Sequence, residues 1–212
     1  MKIAKEGFPF VLIPFALGAA LVVLQGWFGW PWGAAAAGVA LLLAALFCLF
    51  FFRDPEVRLT QGVGLALSPC NGTVMEVDES GAEANVVRVF LSIFNVHLQR
   101  SPVAGTVRAV EHRKGRFLMA MNPGAHLVNE QNVITIEGPQ GVFVVKQIAG
   151  FLARRCVSWV AAGDALAAGE KIGLIKFSSQ VDVFLPKDVE IRVKKGDKVV
   201  SGVSVFGATV GG

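Results

Sequence analysis

Gly173-Leu-Ile-Lys-Phe-Ser-Ser-Gln-Val-Asp-Val-Phe-Leu-Pro186 reads as a strand. Leu174, Ile175, Phe177, Val181, Val183, Phe184 and Leu185 are mostly β-branched or aromatic, and Pro186 closes the run. In its middle stands a polar pair, Ser178-Ser179, where a buried strand ordinarily carries apolar side chains. Taken alone, the pair is explained by two small hydroxyls on the solvent face, or at a bulge, of an ordinary strand.

The chain on both sides of this stretch has the same character. Val86–Phe94, Val133–Ile136, Val142–Ile148 and Val189–Val193 are rich in Val, Ile and Phe and bounded by Gly, Pro or Asn. Val199–Phe206 reads as a further strand, and the one helix candidate is the short run Gly150–Trp159. The spacing therefore predicts a mainly β, compact domain over 59–212, with Thr60–Gly64 as a linker. Two pairs of segments echo each other. Ser68-Pro-Cys-Asn-Gly-Thr-Val74 resembles Ser101-Pro-Val-Ala-Gly-Thr-Val107, and Gly163-Asp-Ala-Leu-Ala-Ala-Gly169 resembles Gly196-Asp-Lys-Val-Val-Ser-Gly202. Such duplication is similar to the barrel-sandwich hybrid folds of biotinyl and lipoyl carriers. The exposed lysine turn of those carriers is missing, so the echo speaks to fold and not to activity.

Ahead of this domain the composition changes. Apolar residues make up 53% of the 212-residue chain and charged ones 17%, and the excess lies at the N-terminus. From Phe8 to Phe52 there is no charged residue, a run about twice the ~20 residues that one helical membrane crossing needs. Gln25-Gly-Trp-Phe-Gly-Trp-Pro-Trp32 interrupts it with turn formers and interface-seeking tryptophans. Residues 1–58 are thus expected to be a membrane anchor, a hairpin of helices at about 8–25 and 33–52. Pro9 and Pro14 leave open a shallow or re-entrant first segment. Lys2 and Lys5 before the hairpin, and Arg53 and Arg58 after it, place both ends in the cytosol. A cleaved signal peptide fits poorly, because the apolar region is too long.

The net charge of +4 is spread along the chain, and no basic stripe argues for nucleic acid. Cys48, Cys70 and Cys156 lack metal spacing and read as reduced thiols. No metal constellation, phosphate loop or GxSxG elbow is present. Of three histidines, His112 lies in a charged turn and His126 in a loop after Pro123-Gly124. His97 is the most informative: in Phe94-Asn-Val-His-Leu-Gln-Arg100, Asn95, His97 and Gln99 alternate with apolar residues. A histidine on the polar face of a strand suits general acid–base chemistry, although a surface or structural histidine fits the same pattern.

Three motifs, taken together and in order, narrow the choice. Phe94-Asn-Val-His-Leu-Gln-Arg-Ser-Pro102, Gln147-Ile-Ala-Gly-Phe-Leu-Ala-Arg-Arg155 and the opening stretch Gly173–Pro186 resemble the short bacterial and archaeal phosphatidylserine decarboxylases. The likeness runs over essentially the whole chain. It implies self-processing: a serine hydroxyl attacks the preceding carbonyl, and β-elimination then releases the upstream chain and leaves a pyruvoyl group. Carried over, cleavage falls between Ser178 and Ser179. Residues 1–178 stay with 179–212, and Ser179 becomes the covalent pyruvoyl cofactor, with neither metal nor pyridoxal phosphate. The resemblance also implies phosphatidylserine as substrate. A Schiff base to the pyruvoyl ketone would carry the decarboxylation to phosphatidylethanolamine. His97 matches the motif histidine and takes a proton-transfer role.

Two positions depart from the family pattern. Glycine is usual where Ser178 stands, and aspartate where Asn71 stands. Glycine permits strained backbone, and an aspartate would charge and orient a histidine, so both changes bear on processing. Pyruvoyl-dependent histidine decarboxylases resemble this chain in cleaving between two serines. Two alternatives stay open: a non-processing relative that binds aminophospholipid, and a hybrid-barrel adaptor of the membrane-fusion type. A homo-oligomer is compatible with the sequence.

Overall fold

The computed structural model describes residues 2–119, 124–151, 155–177 and 179–209. The chain divides into two compact units, Met1–Glu56 and Val57–Gly212. In the first, the short strands β1 (Lys2–Ile3) and β2 (Arg53–Asp54) pair antiparallel across the base of a helical hairpin, α1 (Phe8–Phe28) and α2 (Trp32–Phe51). Pro9 sits in the first turn of α1, where its missing N–H costs nothing. The helix continues through Pro14 and, beyond the expected end at 25, takes in Gly26, Trp27 and Phe28. Reversal occurs at Gly29, whose φ of 61° is the left-handed conformation that suits glycine at a helix end. Both helices are long and apolar enough to cross a bilayer. They approach closely at two glycines: a Cβ on Gly18 would lie 2.7 Å from the Gly38 carbonyl oxygen, and one on Gly38 2.9 Å from that of Gly18.

The second unit is built of strands. β3 (Leu65–Leu67), β4 (Gly72–Asp78), β5 (Ala84–Leu91), β6 (Leu98–Arg100) and β7 (Gly105–Arg113) precede the short helix α3 (Ala125–Val128). Then come β8 (Gln131–Gly138), β9 (Gly141–Ala149), β10 (Cys156–Ser158), β11 (Ala165–Leu166) and β12 (Lys171–Ile175). β13 (Ser179–Pro186), β14 (Val189–Ile191), β15 (Lys198–Val199) and β16 (Val205–Thr209) complete it. The helix candidate at Gly150–Trp159 is not borne out at its described end, where Cys156–Ser158 pairs with β12. Its residues 152–154 lie outside the described part. The strand expected over Val199–Phe206 is likewise two strands, β15 and β16, separated by a turn. Thr60 is not a free linker: its N–H donates to the Gly202 carbonyl at 3.0 Å and its hydroxyl to that of Val203 at 2.6 Å.

The large antiparallel sheet, curled into a half-barrel, runs β11-β7-β8-β9-β13-β5-β4-β15. Read outward from its centre, the order is symmetric, β9 answering to β13, β8 to β5, β7 to β4 and β11 to β15. Two small sheets, β10-β12-β6 and β14-β16-β3, continue the correspondence. The sequence echoes are its chemical basis. Ser68 donates to the Cys70 carbonyl at 2.7 Å, and Ser101 to that of Val103 at 2.6 Å. Val74 N–H bonds to the Asp197 carbonyl and Val107 N–H to that of Asp164, both at 2.9 Å. The two copies also exchange backbone bonds, Leu67 N–H to Pro102 and Arg100 N–H to Pro69, both at 2.8 Å. Between the layers lies one apolar core, with Val87, Val89, Ile134, Ile136, Phe143, Val145, Val181, Val183 and Leu185 all buried.

Glycine is required at the same point in each copy. A Cβ on Gly72 would stand 2.3 Å from the Phe90 carbonyl oxygen, and one on Gly105 2.2 Å from that of Glu137. Because the obstacle is strand backbone, Gly72→Ala and Gly105→Ala should each cost about 1–3 kcal/mol. Denaturant midpoints of the purified variants check this, and an unchanged midpoint for both would contradict the close approach.

Candidate active site

Strand β13 is paired on both sides from its first residue, Ser179 standing opposite Leu91 of β5 and Ala149 of β9. Alternation along the strand puts Ser179 on the face of Val181, Val183 and Leu185, which point into the core. Its exposure is 0%, so the reading of this hydroxyl as a solvent-facing one is corrected. Among the described residues its Oγ has no hydrogen-bond partner, an arrangement that costs stability and is rare in interiors. Two residues upstream, Phe177 has a φ of 54°, a left-handed conformation that is strained for an aromatic side chain. Ser178 lies outside the described residues.

His97 is not on a strand face, which corrects the alternation argument. β5 ends at Leu91, and a turn follows in which Asn95 Oδ1 accepts from the N–H and the hydroxyl of Ser92, at 2.9 and 2.8 Å. His97 comes just before β6 and is buried, as are Val96 and Leu98. Its alternating neighbours therefore bury both sets of side chains, not one. The Ile175 N–H donates to the His97 carbonyl at 3.1 Å, which binds the histidine to the end of β12, four residues before Ser179. Nδ1 lies 3.0 Å from the Asn95 carbonyl oxygen. A carbonyl can only accept, so Nδ1 carries the proton and Nε2 is the basic nitrogen of the neutral ring.

A row of buried amides leads away from His97. Gln99 Nε2 donates to the His97 carbonyl at 2.7 Å, Gln147 Nε2 to Gln99 Oε1 at 2.8 Å, and Asn132 Nδ2 to Gln147 Oε1 at 3.1 Å. Asn132 Oδ1 lies 2.8 Å from His112 Nδ1. The acceptor-only carbonyl at one end orients every amide in turn, and His112 must donate at the other. His112 is thus on β7, half exposed and bonded, instead of in a solvated turn. Sequence reading missed Gln99, Gln147 and Asn132. Their signal was present, since Gln147 and Asn132 interrupt the apolar core faces Phe143-Val145 of β9 and Ile134-Ile136 of β8.

Asn71 precedes β4, whose Thr73 faces Phe90, so it stands at the same end of the sheet as Ser179. Its Oδ1 accepts the Ser201 N–H at 3.2 Å. His126 belongs to α3, where its charge would help Asp182 of β13 stay ionised. Asp182 points to the face opposite Ser179. Burial raises its pKa, opposed by the Gln180 amide at 2.6 Å and by the charges of Arg88, His126 and Lys146. Burial also raises the thiols of Cys70 and Cys156, the latter to about 12, so both are inert. Among the described residues no metal-binding group of His, Cys, Asp or Glu forms.

A buried serine hydroxyl without a partner among the described residues stands at a strained strand entry, and the tautomer-fixed His97 is tied through its carbonyl to Ile175 of the preceding strand; together they make a candidate interior site. The comparisons with known proteins agree with the motifs. The family model described as phosphatidylserine decarboxylase matches residues 44–207. A phosphatidylserine decarboxylase proenzyme of Symbiobacterium thermophilum is 45% identical, covering 97% of this chain and 94% of its own. The proenzyme of Solibacter usitatus is 41% identical over 97% and 96%, and that of Magnetococcus marinus 37% over 99% and 96%. The chain belongs to the phosphatidylserine decarboxylase family, and so to a family of enzymes.

Gln147→Leu should unfold more readily than the parent by about 1–3 kcal/mol, since it strands Gln99 Oε1 and Asn132 Nδ2 in the interior. Chemical denaturation measures this, and an unshifted midpoint would contradict the amide row. The folded pKa of Asp182 lies above its unfolded value near 3.8. Its contribution is therefore fully present below that value and is lost as pH rises through the folded pKa. Asp182→Asn should flatten the fall in melting temperature as pH rises above about 4. Parallel curves for the two proteins would disprove the assignment.

Proposed function

We propose that this chain is a self-processing phosphatidylserine decarboxylase that forms phosphatidylethanolamine. Its Ser179 would provide both the cleavage nucleophile and the pyruvoyl cofactor. The observation that carries the reading is the buried Ser179 Oγ without a partner among the described residues, two residues after a strained Phe177. A structural serine would have been bonded or replaced by an apolar residue, whereas a reacting one must be held ready.

In the processing step, Ser179 Oγ bonds to the carbonyl carbon of residue 178 and the peptide C–N bond breaks, giving an ester and a free amine. Loss of the Ser179 α-proton expels residue 178 as a carboxylate and leaves dehydroalanine. Its enamine tautomerises, and one water then releases ammonia and leaves the pyruvoyl group at the head of 179–212. Burial suits these steps, because bulk water is kept from the ester. His97 is assigned the proton transfers through Nε2, its ring held by the Nδ1–H bond to Asn95. When formed, the pyruvoyl group supplies a ketone for the substrate amine and a conjugated carbonyl that accepts the electron pair left by departing CO2. Residue 179 keeps its place after cleavage because β13 is paired on both sides.

The two N-terminal helices would anchor the chain where its lipid substrate lies. Lys2, Lys5, Arg53 and Arg58 support the inner membrane with the β domain on the cytosolic face. Asn71 accepts the Ser201 N–H through Oδ1, a bond that aspartate would also make, so Asn71→Asp should keep the fold and speed processing.

Intact-mass analysis tests the reading. The parent should yield chains 1–178 and 179–212, the latter blocked at its N-terminus, and should release CO2 from phosphatidylserine vesicles. Ser179→Ala should remain one chain with no decarboxylation. A parent that stays uncleaved and still binds the lipid would instead identify a non-processing relative.

A further inference from the structure

Of the five large apolar side chains of the β unit that are more than half exposed among the described residues, four, all but Val63, lie at the end of the sheet that carries Ser179. Leu91 and Ala149 are the register partners of Ser179, and the chain continues from them into Phe94 and Phe151. Those rings are 66% and 60% exposed. The segment between β7 and β8 returns to the same place. Asn129 Nδ2 donates to the carbonyls of Leu118 at 2.9 Å and Ala149 at 2.8 Å, and Glu130 accepts the Ala149 N–H at 2.9 Å. Met119 and Leu127, the neighbours of these tied residues, are 69% and 73% exposed. Four large apolar side chains from three separate segments thus surround the strand ends at Ser179. A soluble surface rarely concentrates such groups without a partner.

Charge identifies the partner. The same segments expose Lys114, Arg116 and Arg155, with Lys176 half-buried beside Phe177, and their one acid is the half-buried Glu130. Apolar tips with a basic surround match a bilayer surface that carries anionic headgroups. We infer that this end of the β unit docks into an anionic lipid surface through Phe94, Met119, Leu127 and Phe151. The contact is additional to the helical hairpin. It deepens the reading of the function, on which it rests, because it brings lipid headgroups to the end of the sheet that carries Ser179.

The test uses the full chain in vesicles, in a Cys48→Ala background, Cys70 and Cys156 being buried. An environment-sensitive fluorophore is attached at Leu127→Cys, at Phe151→Cys, or at Ala82→Cys in the exposed turn between β4 and β5 at the opposite end. In phosphatidylglycerol vesicles bearing nitroxide on the acyl chains, the labels at 127 and 151 should shift to the blue and be quenched, and that at 82 should do neither. Lys114→Ala with Arg116→Ala should weaken the quenching in phosphatidylglycerol and leave that in phosphatidylcholine unchanged. Rim labels quenched no more than the control would overturn the inference, as would cross-linking between copies at Leu127→Cys without quenching, which would assign the rim to a dimer. The readout is independent of turnover. Ser179→Ala should dock like the parent, so quenching without any product would defeat the functional reading alone.

Discussion

Strand pairing on both edges of β13 is the constraint on which the site depends. A first residue of a strand is ordinarily frayed, yet Ser179 faces Leu91 on one side and Ala149 on the other. Its main chain is therefore fixed at the point where the preceding segment must turn into the sheet, and Phe177 takes a left-handed backbone to make that entry. The hydroxyl is carried into the core by the same alternation that buries Val181, Val183 and Leu185. Position, burial and strain thus come from one set of backbone hydrogen bonds.

The near-symmetry of the unit explains how such a position arises. Two copies of one β module supply β3 to β5 and β6 to β8, locked by reciprocal bonds between their Ser-Pro turns. They differ at the entry to the two central strands. β9 begins at Gly141, which a tight turn from Gly138 reaches directly, while β13 begins at Ser179. The common core stabilises both halves, and only one half carries Ser179. The buried amides likewise lie on one side, in β6, β8 and β9, and end on the carbonyl of His97. A row of this kind is favourable only when every member is satisfied, which makes it a rigid support for the histidine segment.

Much of the architecture was legible in the sequence because periodicity and turn chemistry are local. The apolar hairpin, the β character of 59–212 and the duplicated turns all follow from residue types at short spacing. The turns have the same hydrogen bonds in both copies, as their shared Ser, Gly and Asp residues require. The short helix candidate at Gly150–Trp159 failed for the opposite reason: pairing of Cys156–Ser158 with β12 is a long-range contact that overrides a weak local preference. Asparagine at 71 reads as a departure from an aspartate, but the structure gives it a further task in accepting the Ser201 N–H.

By itself the sequence determined the family and marked the serine pair and His97 as candidates, since motifs and composition are written in residue identity. Tertiary structure decided which face the serine takes, that the histidine leaves the strand, and that Gln99, Gln147 and Asn132 join into one row. Those outcomes depend on register between segments remote in the chain, and register is fixed only when the whole sheet closes around its core. Ser179 began as one of two small hydroxyls in an apolar stretch. The fold makes it a buried group held at the entry to the central strand.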